Sequence, residues 1–289
     1  MNLDRRLEPS LLSISNPVSM KLLRILLSVA ILSAAAAPVH ADTNVGTPIL
    51  AVPFVITKPG KYRFTKPLNH NTSDPAITIN SRDVVLDLNG FALSGPKESD
   101  DENIGILVNG PNAVIRNGTV RRFHTGFLDF VGAARGTIVE DVICHSQIST
   151  AIQFSASDCI LRRVIVRDIG TQPEQPEEIF GIRLTGSSIV EHCVIQNIPF
   201  RSGLTTNIGL RLAGGSHVIR ETDFHRVAQI AVSTAADIST IFERVRIREC
   251  GTGLSIAGGQ APLVRDSTIR DCPTSVSGAF DDGGRNILD

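Results

Sequence analysis

The feature that most limits how this chain can fold is repetition. Between Gly105 and Val120 it reads GILVNGPNAVIRNGTV, two short β-branched runs separated by a small polar turn and closed by an Asn-Gly. Runs that open on a small residue recur as AITI at 76, GILV at 105, GFLD at 126, AIQF at 151, GIRL at 181, GLRL at 209, QIAV at 229, GLSI at 253 and a faded SVSG at 275, at steps between 20 and 30 residues. Each is followed, after a turn rich in Gly, Ser, Asn or Ala, by a second unit such as VIRNGTV, IVEDVIC, ILRRVIV, IVEHCVI or VIRETDF. A period of this length with strand-type patterning marks a solenoid, in which each repeat buries its apolar face against its neighbours.

The second unit fixes the shape of the repeat. Ile115, Gly118 and Val120 take inward positions, matched by Val139, Val142 and Cys144, then Leu161, Val164 and Val166, then Val190, Cys193 and Ile195. The first and second inward positions are separated by two residues, so the strand bends there. Asn117, Asp141 and Asp266 at the bend tolerate left-handed backbone, whereas Arg163, His192, Glu221 and Arg244 at the same position weaken that signal. Three short strands and three turns per coil, stacked through parallel hydrogen bonding, make a parallel β-helix whose neighbouring strands lie ~4.8 Å apart. The outward residue before the bend alternates in sign, as Arg116, Glu140, Arg162, Glu191, Arg220, Glu243 and Arg265. Stacking sets each arginine between two carboxylates, and a slip of one coil would oppose like charges.

Composition narrows the function. With 289 residues and 42% hydrophobic content the chain can build a sizeable core, and 28 basic against 29 acidic residues give a net charge of -1. That balance supplies no drive toward nucleic acid, which is not expected as a partner. There is no Trp and one Tyr, Tyr62, which removes most rings able to stack on bases or neutral sugars. From Met20 the chain reads MKLLRILLSVAILSAAAAPVHA, with a basic start, an apolar stretch and a small-x-small site at Val39 to Ala41. Residues 1–41 are therefore expected to be a leader with a secretory signal peptide, its true start at Met20, and the mature protein to be secreted or periplasmic. The apolar stretch falls short of the ~20 residues that span a bilayer, so no membrane span is expected in the mature protein. Residues 42–75 are read as an amino-terminal cap, 76–278 as the β-helix and 279–289 as a carboxyl-terminal cap or tail.

The stretch GKYRFTKPLNHNTSDPAITINSRDVVLDLNGFALSG (60–95), followed by GILVNGPNAVIRNGTVRRF, resembles the right-handed parallel β-helix repeat proteins of the pectate-lyase-like superfamily, and the resemblance covers about residues 50 to 289. It implies an all-β, single-stranded right-handed parallel β-helix, with about eight complete coils and a partial ninth by the repeat count. The superfamily includes polysaccharide lyases, polygalacturonases, alginate epimerases and many exported proteins. It implies glycan binding on the side where long turns border the first-strand sheet.

Three long turns, 96–103, 171–180 and 199–207, fall between the last strand of one coil and the first strand of the next. The exposed first-strand residues after the two later turns are Arg183 and Arg211, whose planar forks suit carboxylates. With Glu177, Glu178 and Arg201 from the flanking turns they are the candidate substrate-binding residues, a clamp for uronate. In the competing reading Glu174, Glu177 and Glu178 pair with these arginines and solubilise a loop. No cofactor is required; Asp100, Asp101 and Glu102 are weak calcium candidates, because ESDDEN lacks the alternation and closing glutamate of a dedicated calcium loop. A second column, Arg121, His145, Arg167, Gln196, His225, Arg248 and Arg270, forms a basic stripe, partly neutralised by Asp168, Glu249 and Asp271. Ile143, Ile165 and Val194 form an outward apolar patch that needs a cover.

The superfamily's polygalacturonase motifs (Asn-Thr-Asp, Asp-Asp, Gly-His-Gly, Arg-Ile-Lys) and the Asp-Pro-His-Glu of its epimerases are missing in that arrangement, so no catalytic residue carries over. The seven histidines lack metal spacing. Of five cysteines, Cys144 and Cys193 read as core, Cys159 has no obvious partner, and Cys250 and Cys272 occupy one position in neighbouring coils, within disulfide range. The sequence therefore leads to an exported, monomeric protein that binds, and if catalytic processes as a lyase, an acidic polysaccharide. The rival reading is a non-catalytic scaffold or adhesion protein.

Overall fold

Among the described residues every regular element is a β-strand, and the strands pair in parallel with residues about 15 to 30 positions away. The structure, a computed structural model, describes residues 46–96, 102–170, 178–200, 205–236 and 238–289; the leader expected over 1–41 lies outside them. Gly46–Asp289 forms one compact unit. Its first strands build a ten-stranded sheet running from Phe54–Ile56 to Thr274–Ser277, and its second and third strands build one of nineteen strands. No barrel closes, and the arrangement is consistent with a parallel β-helix. The register reaches into the segments read as caps: Phe54 pairs with Ile77, Tyr62 with Leu86, and at the other end Thr268 with Ile287.

The small residue that opens each run has a steric cause. A Cβ on Gly126 would lie 2.5 Å from the Ala151 carbonyl oxygen, on Gly181 2.5 Å from that of Gly209, and on Gly209 2.6 Å from that of Ala231. The coils approach too closely there for a branched side chain. This column also corrects one alignment. Leu210 pairs with Val232 and Arg211 with Ser233, so the run beginning at 229 registers two residues later than QIAV suggests, with Ala231 in the small position. A shift of two preserves which side chains face inward, so hydrophobic patterning alone does not detect it.

The inward columns of the second unit stand as expected: Val139 pairs with Ile115 and Leu161, Cys144 with Val120 and Val166, and all are buried. The bend is left-handed at every coil whatever residue occupies it, with φ of 62° at Asn117, 54° at Asp141, 52° at Arg163, 53° at His192, 50° at Glu221, 52° at Arg244 and 53° at Asp266. That conformation is costly for most of these types. Two interactions offset it. The bend N–H still donates into the next coil, as from Arg163 to Glu191 O at 3.1 Å and from Glu221 to Glu243 O at 3.0 Å. The side chains also pair vertically, Asp141 with Arg163 at 2.7 Å, His192 with Glu221 at 2.8 Å and Glu221 with Arg244 at 2.6 Å. A second left-handed column, including Ser146, Asp168, Asn197, Arg226 and Glu249, turns the chain again after the third strand.

The charge ladder is in register along its length and extends by Arg63 and Asp87 at its amino end. Its close contacts run one way. Arg116 reaches Asp87 at 3.1 Å, Arg162 reaches Glu140 at 2.8 Å, Arg220 clasps Glu191, and Arg265 reaches Glu243 at 3.4 Å. Each of these four arginines thus takes the acid one coil toward the amino end, rather than sitting evenly between two. Glu191 is the most enclosed, and Glu191→Ala, which leaves Arg162 and Arg220 without the carboxylate between them, is expected to cost about 2 kcal/mol in urea unfolding.

A second polar contact lies inside. His217 is buried, donates from Nε2 to the Gly214 carbonyl at 2.7 Å, and accepts the Ser188 hydroxyl at Nδ1 at 2.8 Å. Burial holds its imidazole below the ordinary 6.5, against the Gly214 hydrogen bond, which acts to raise it. The unfolded chain therefore takes up the proton more readily, and this contribution to stability is present above about pH 6.5 and declines as pH falls below it. The urea midpoint should fall between pH 7 and pH 5, and His217→Gln should flatten that fall; equal slopes for variant and parent would place the titration elsewhere.

Candidate functional site

The strands Glu178–Leu184 and Thr206–Leu212 lie side by side, with Glu178 opposite Thr206, Phe180 opposite Ile208 and Arg183 opposite Arg211. Two consecutive positions face the interior here. Ile182 is fully buried, and a Cβ on Gly181 would also point inward, 3.0 Å from Ile198 Cδ1. The outward positions are therefore three residues apart, at 180 and 183. Repetition through the sheet turns them into two columns, Phe180, Ile208 and Ile230 in one, and Gln153, Arg183, Arg211, Ser233 and Ser255 in the other.

These columns form the floor of a groove of about 420 Å³, whose lining includes Glu178, Phe180, Arg183, Thr206, Arg211 and Ser233. The Arg183 guanidinium carbon stands 5.2 Å from the centroid of the Phe180 ring, and Arg211 Nη1 donates to Ser233 Oγ. Among the described residues neither arginine has a carboxylate within ion-pair distance. The ladder and bend columns differ in this respect, since Arg116, Arg162, Arg163, Arg220, Arg244 and Arg265 all reach one. Two like charges ~5 Å apart repel by about 1 kcal/mol in water and about 3 kcal/mol at an effective dielectric of 20. An anion shared between the two forks removes that repulsion and gains charge-assisted hydrogen bonds.

Of the other candidates, Glu178 is exposed on the same strand, and its backbone carbonyl accepts the Ser149 hydroxyl at 3.1 Å. Glu174, Glu177 and Arg201 lie outside the described residues, as do Asp100 and Asp101. Glu102 is exposed, and its charge opposes the burial that pushes the His124 imidazole down. Among the described residues no group of three or more His, Cys, Asp or Glu side chains is placed to hold a metal ion. Sequence reasoning missed Phe180 and Ser233. The outward position three residues before each arginine would have pointed to Phe180. Ser233 was hidden because the alignment on QIAV sets Ala231 opposite Arg211, whereas the true partner lies two residues later.

The basic stripe is also in register, from Arg121 through His145, Arg167, Gln196, His225 and Arg248 to Arg270. Much of its charge is matched: Arg167 meets Asp168 at 2.7 Å, His225 meets Glu249 at 3.1 Å and Arg270 meets Asp289 at 3.1 Å. Burial, then the neighbouring Arg167 and Arg121, hold the His145 imidazole below its ordinary value. Ile143, Ile165 and Val194 stack in register and are half-buried; their column continues as Asp223 and Arg246, which pair at 2.6 Å.

All five cysteines are free thiols and buried. Burial pushes Cys159 and Cys193 up to about 12, which leaves them unreactive as nucleophiles. Among the described residues no helix is long and apolar enough to cross a membrane. No family model matches the chain, and no curated protein matches it.

Proposed function

We propose that this protein is an exported right-handed parallel β-helix of the pectate-lyase-like kind that binds an acidic polysaccharide along the groove bearing Arg183 and Arg211. The hand follows from the strong preference of parallel crossovers for right-handed connection. Residues 76–278 are proposed to make about eight complete coils and a partial ninth by the repeat count, with Phe54–Ile56 extending the same sheet on the amino side. The observation that carries the reading is the stacked pair Arg183 and Arg211 facing a groove, with no carboxylate within ion-pair distance among the described residues. A polymer lying along the stack axis meets a new strand every ~4.8 Å, so carboxylates on successive sugars fall within reach of successive arginines. Phe180 and Ile208 line the same groove but are buried, at 5% and 4% exposure, so they support the arginines rather than meet the sugar rings. If the protein is also catalytic, lyase chemistry on uronate fits this reading best; a monomeric state and no required cofactor go with it.

Affinity electrophoresis and titration with polygalacturonate, alginate and chondroitin, with and without calcium, test the proposal. Binding should weaken at least tenfold in an Arg183→Ala, Arg211→Ala double variant and should fall with added salt. Absorbance near 235 nm from unsaturated products would establish lyase activity. No retardation by any of the three polymers would favour the non-catalytic scaffold.

A further inference from the structure

Cys250 and Cys272 follow the second left-handed turn in two adjacent coils, each directly after an acidic residue, Glu249 and Asp271, with φ of 54° and 55°. Their register is fixed on both sides: Arg248 pairs with Arg270 two residues before them, and Thr252 with Thr274 two residues after. Each thiol donates to the carbonyl two residues back in its own coil, Cys250 to Arg248 and Cys272 to Arg270, both at 3.3 Å. The two side chains therefore sit in the same local setting one strand spacing apart, which places the Cα atoms within the ~4.4–6.8 Å that a disulfide spans. The two thiols lie near enough for each to affect the other's ionisation. The other three have no cysteine opposite them in the adjacent coil: Cys144 pairs with Val120 and Val166, Cys159 with Ser188, and Cys193, whose thiol acts on that of Cys144, lies two coils from it at a different inward position.

We propose that Cys250 and Cys272 are a disulfide site that staples two adjacent coils near the carboxyl end when the protein meets a small-molecule or protein disulfide. Cys272, the less buried at 8% exposure against 3%, attacks first as its thiolate. Its sulfur bonds to one sulfur of the incoming disulfide, whose S–S bond breaks and releases one thiol. The Cys250 thiolate then attacks the Cys272 sulfur, breaking the mixed disulfide and releasing the second thiol. Two electrons pass from the cysteine pair to the incoming disulfide, and the two departing thiols carry the protons away. The step draws on nothing in the groove and is independent of what the groove binds.

The full chain is incubated with excess oxidised glutathione at pH 8.5, remaining thiols are alkylated in denaturant, and tryptic peptides are weighed. Cleavage after Arg248, Arg265, Arg270 and Arg285 isolates the two cysteines on separate peptides, 249–265 and 271–285. The expected result is these two peptides joined, two hydrogens lighter than their sum, with Cys144, Cys159 and Cys193 alkylated. The joined peptide should be lost in Cys272→Ser, with a far-ultraviolet spectrum matching the parent. Full alkylation of all five cysteines after oxidation, or glutathione held on Cys250 or Cys272 without the joined peptide, would overturn the proposal.

Discussion

The structure depends on one constraint, the parallel backbone hydrogen bonding that sets each residue over its counterpart in the next coil. Once the register holds, every choice of side chain is made for a column rather than for a site. A small residue is required where coils come closest, an apolar one where three strands enclose the interior, and an alternating charge where side chains stack in solvent. The turns absorb the variation in repeat length, so strands remain aligned although spacings between runs differ. Insertions accumulate in those turns, and the groove is lined by Glu178 and Thr205, which follow two of them.

Much of this was legible in the amino-acid sequence, because columns repeat and repetition is visible without coordinates. The inward triplets from Ile115 to Ile195 and the alternating outward charges point to the same register, and both stand in the structure. Arg183 and Arg211 were legible for the same reason, as the outward residue of two consecutive runs. What escaped was information of a different kind. The opening run at 229 carries apolar residues at both 230 and 232, so its pattern fits two alignments, and only the closeness of Ala231 to the Gly209 coil decides between them. Phe180 was hidden because two successive residues, Gly181 and Ile182, face inward, which breaks the simple alternation that strand reasoning assumes.

The left-handed bend shows how column logic overrides residue preference. Arginine, histidine and glutamate are poor choices for that backbone when considered alone. Each is acceptable here because its side chain reaches an opposite charge one coil away while its N–H stays within the ladder. The groove departs from the same rule. Arg183 and Arg211 repeat a charge where the ladder alternates it, as Arg248 and Arg270 do in the basic stripe, an arrangement that stacking disfavours until something anionic lies between them. Among the described residues neither column places a carboxylate between its stacked arginines.

The one-sided pairing of the charge ladder spaces its ties unevenly along the stack. Because each arginine takes the acid on its amino side, coils are tied in twos, 87 with 116, 140 with 162, 191 with 220 and 243 with 265. The bend column adds a tie between 221 and 244, but among the described residues neither column bridges 116 to 140 or 162 to 191. At those two steps the coils are joined instead by the backbone pairing, which runs unbroken through both, and by side-chain amides, Gln147 reaching the Val120 carbonyl and Asn197 reaching Asp168. One of the two steps separates the coil of Arg162 from the coil of Arg183, so at the amino edge of the groove an amide takes over the role that ion pairs hold elsewhere.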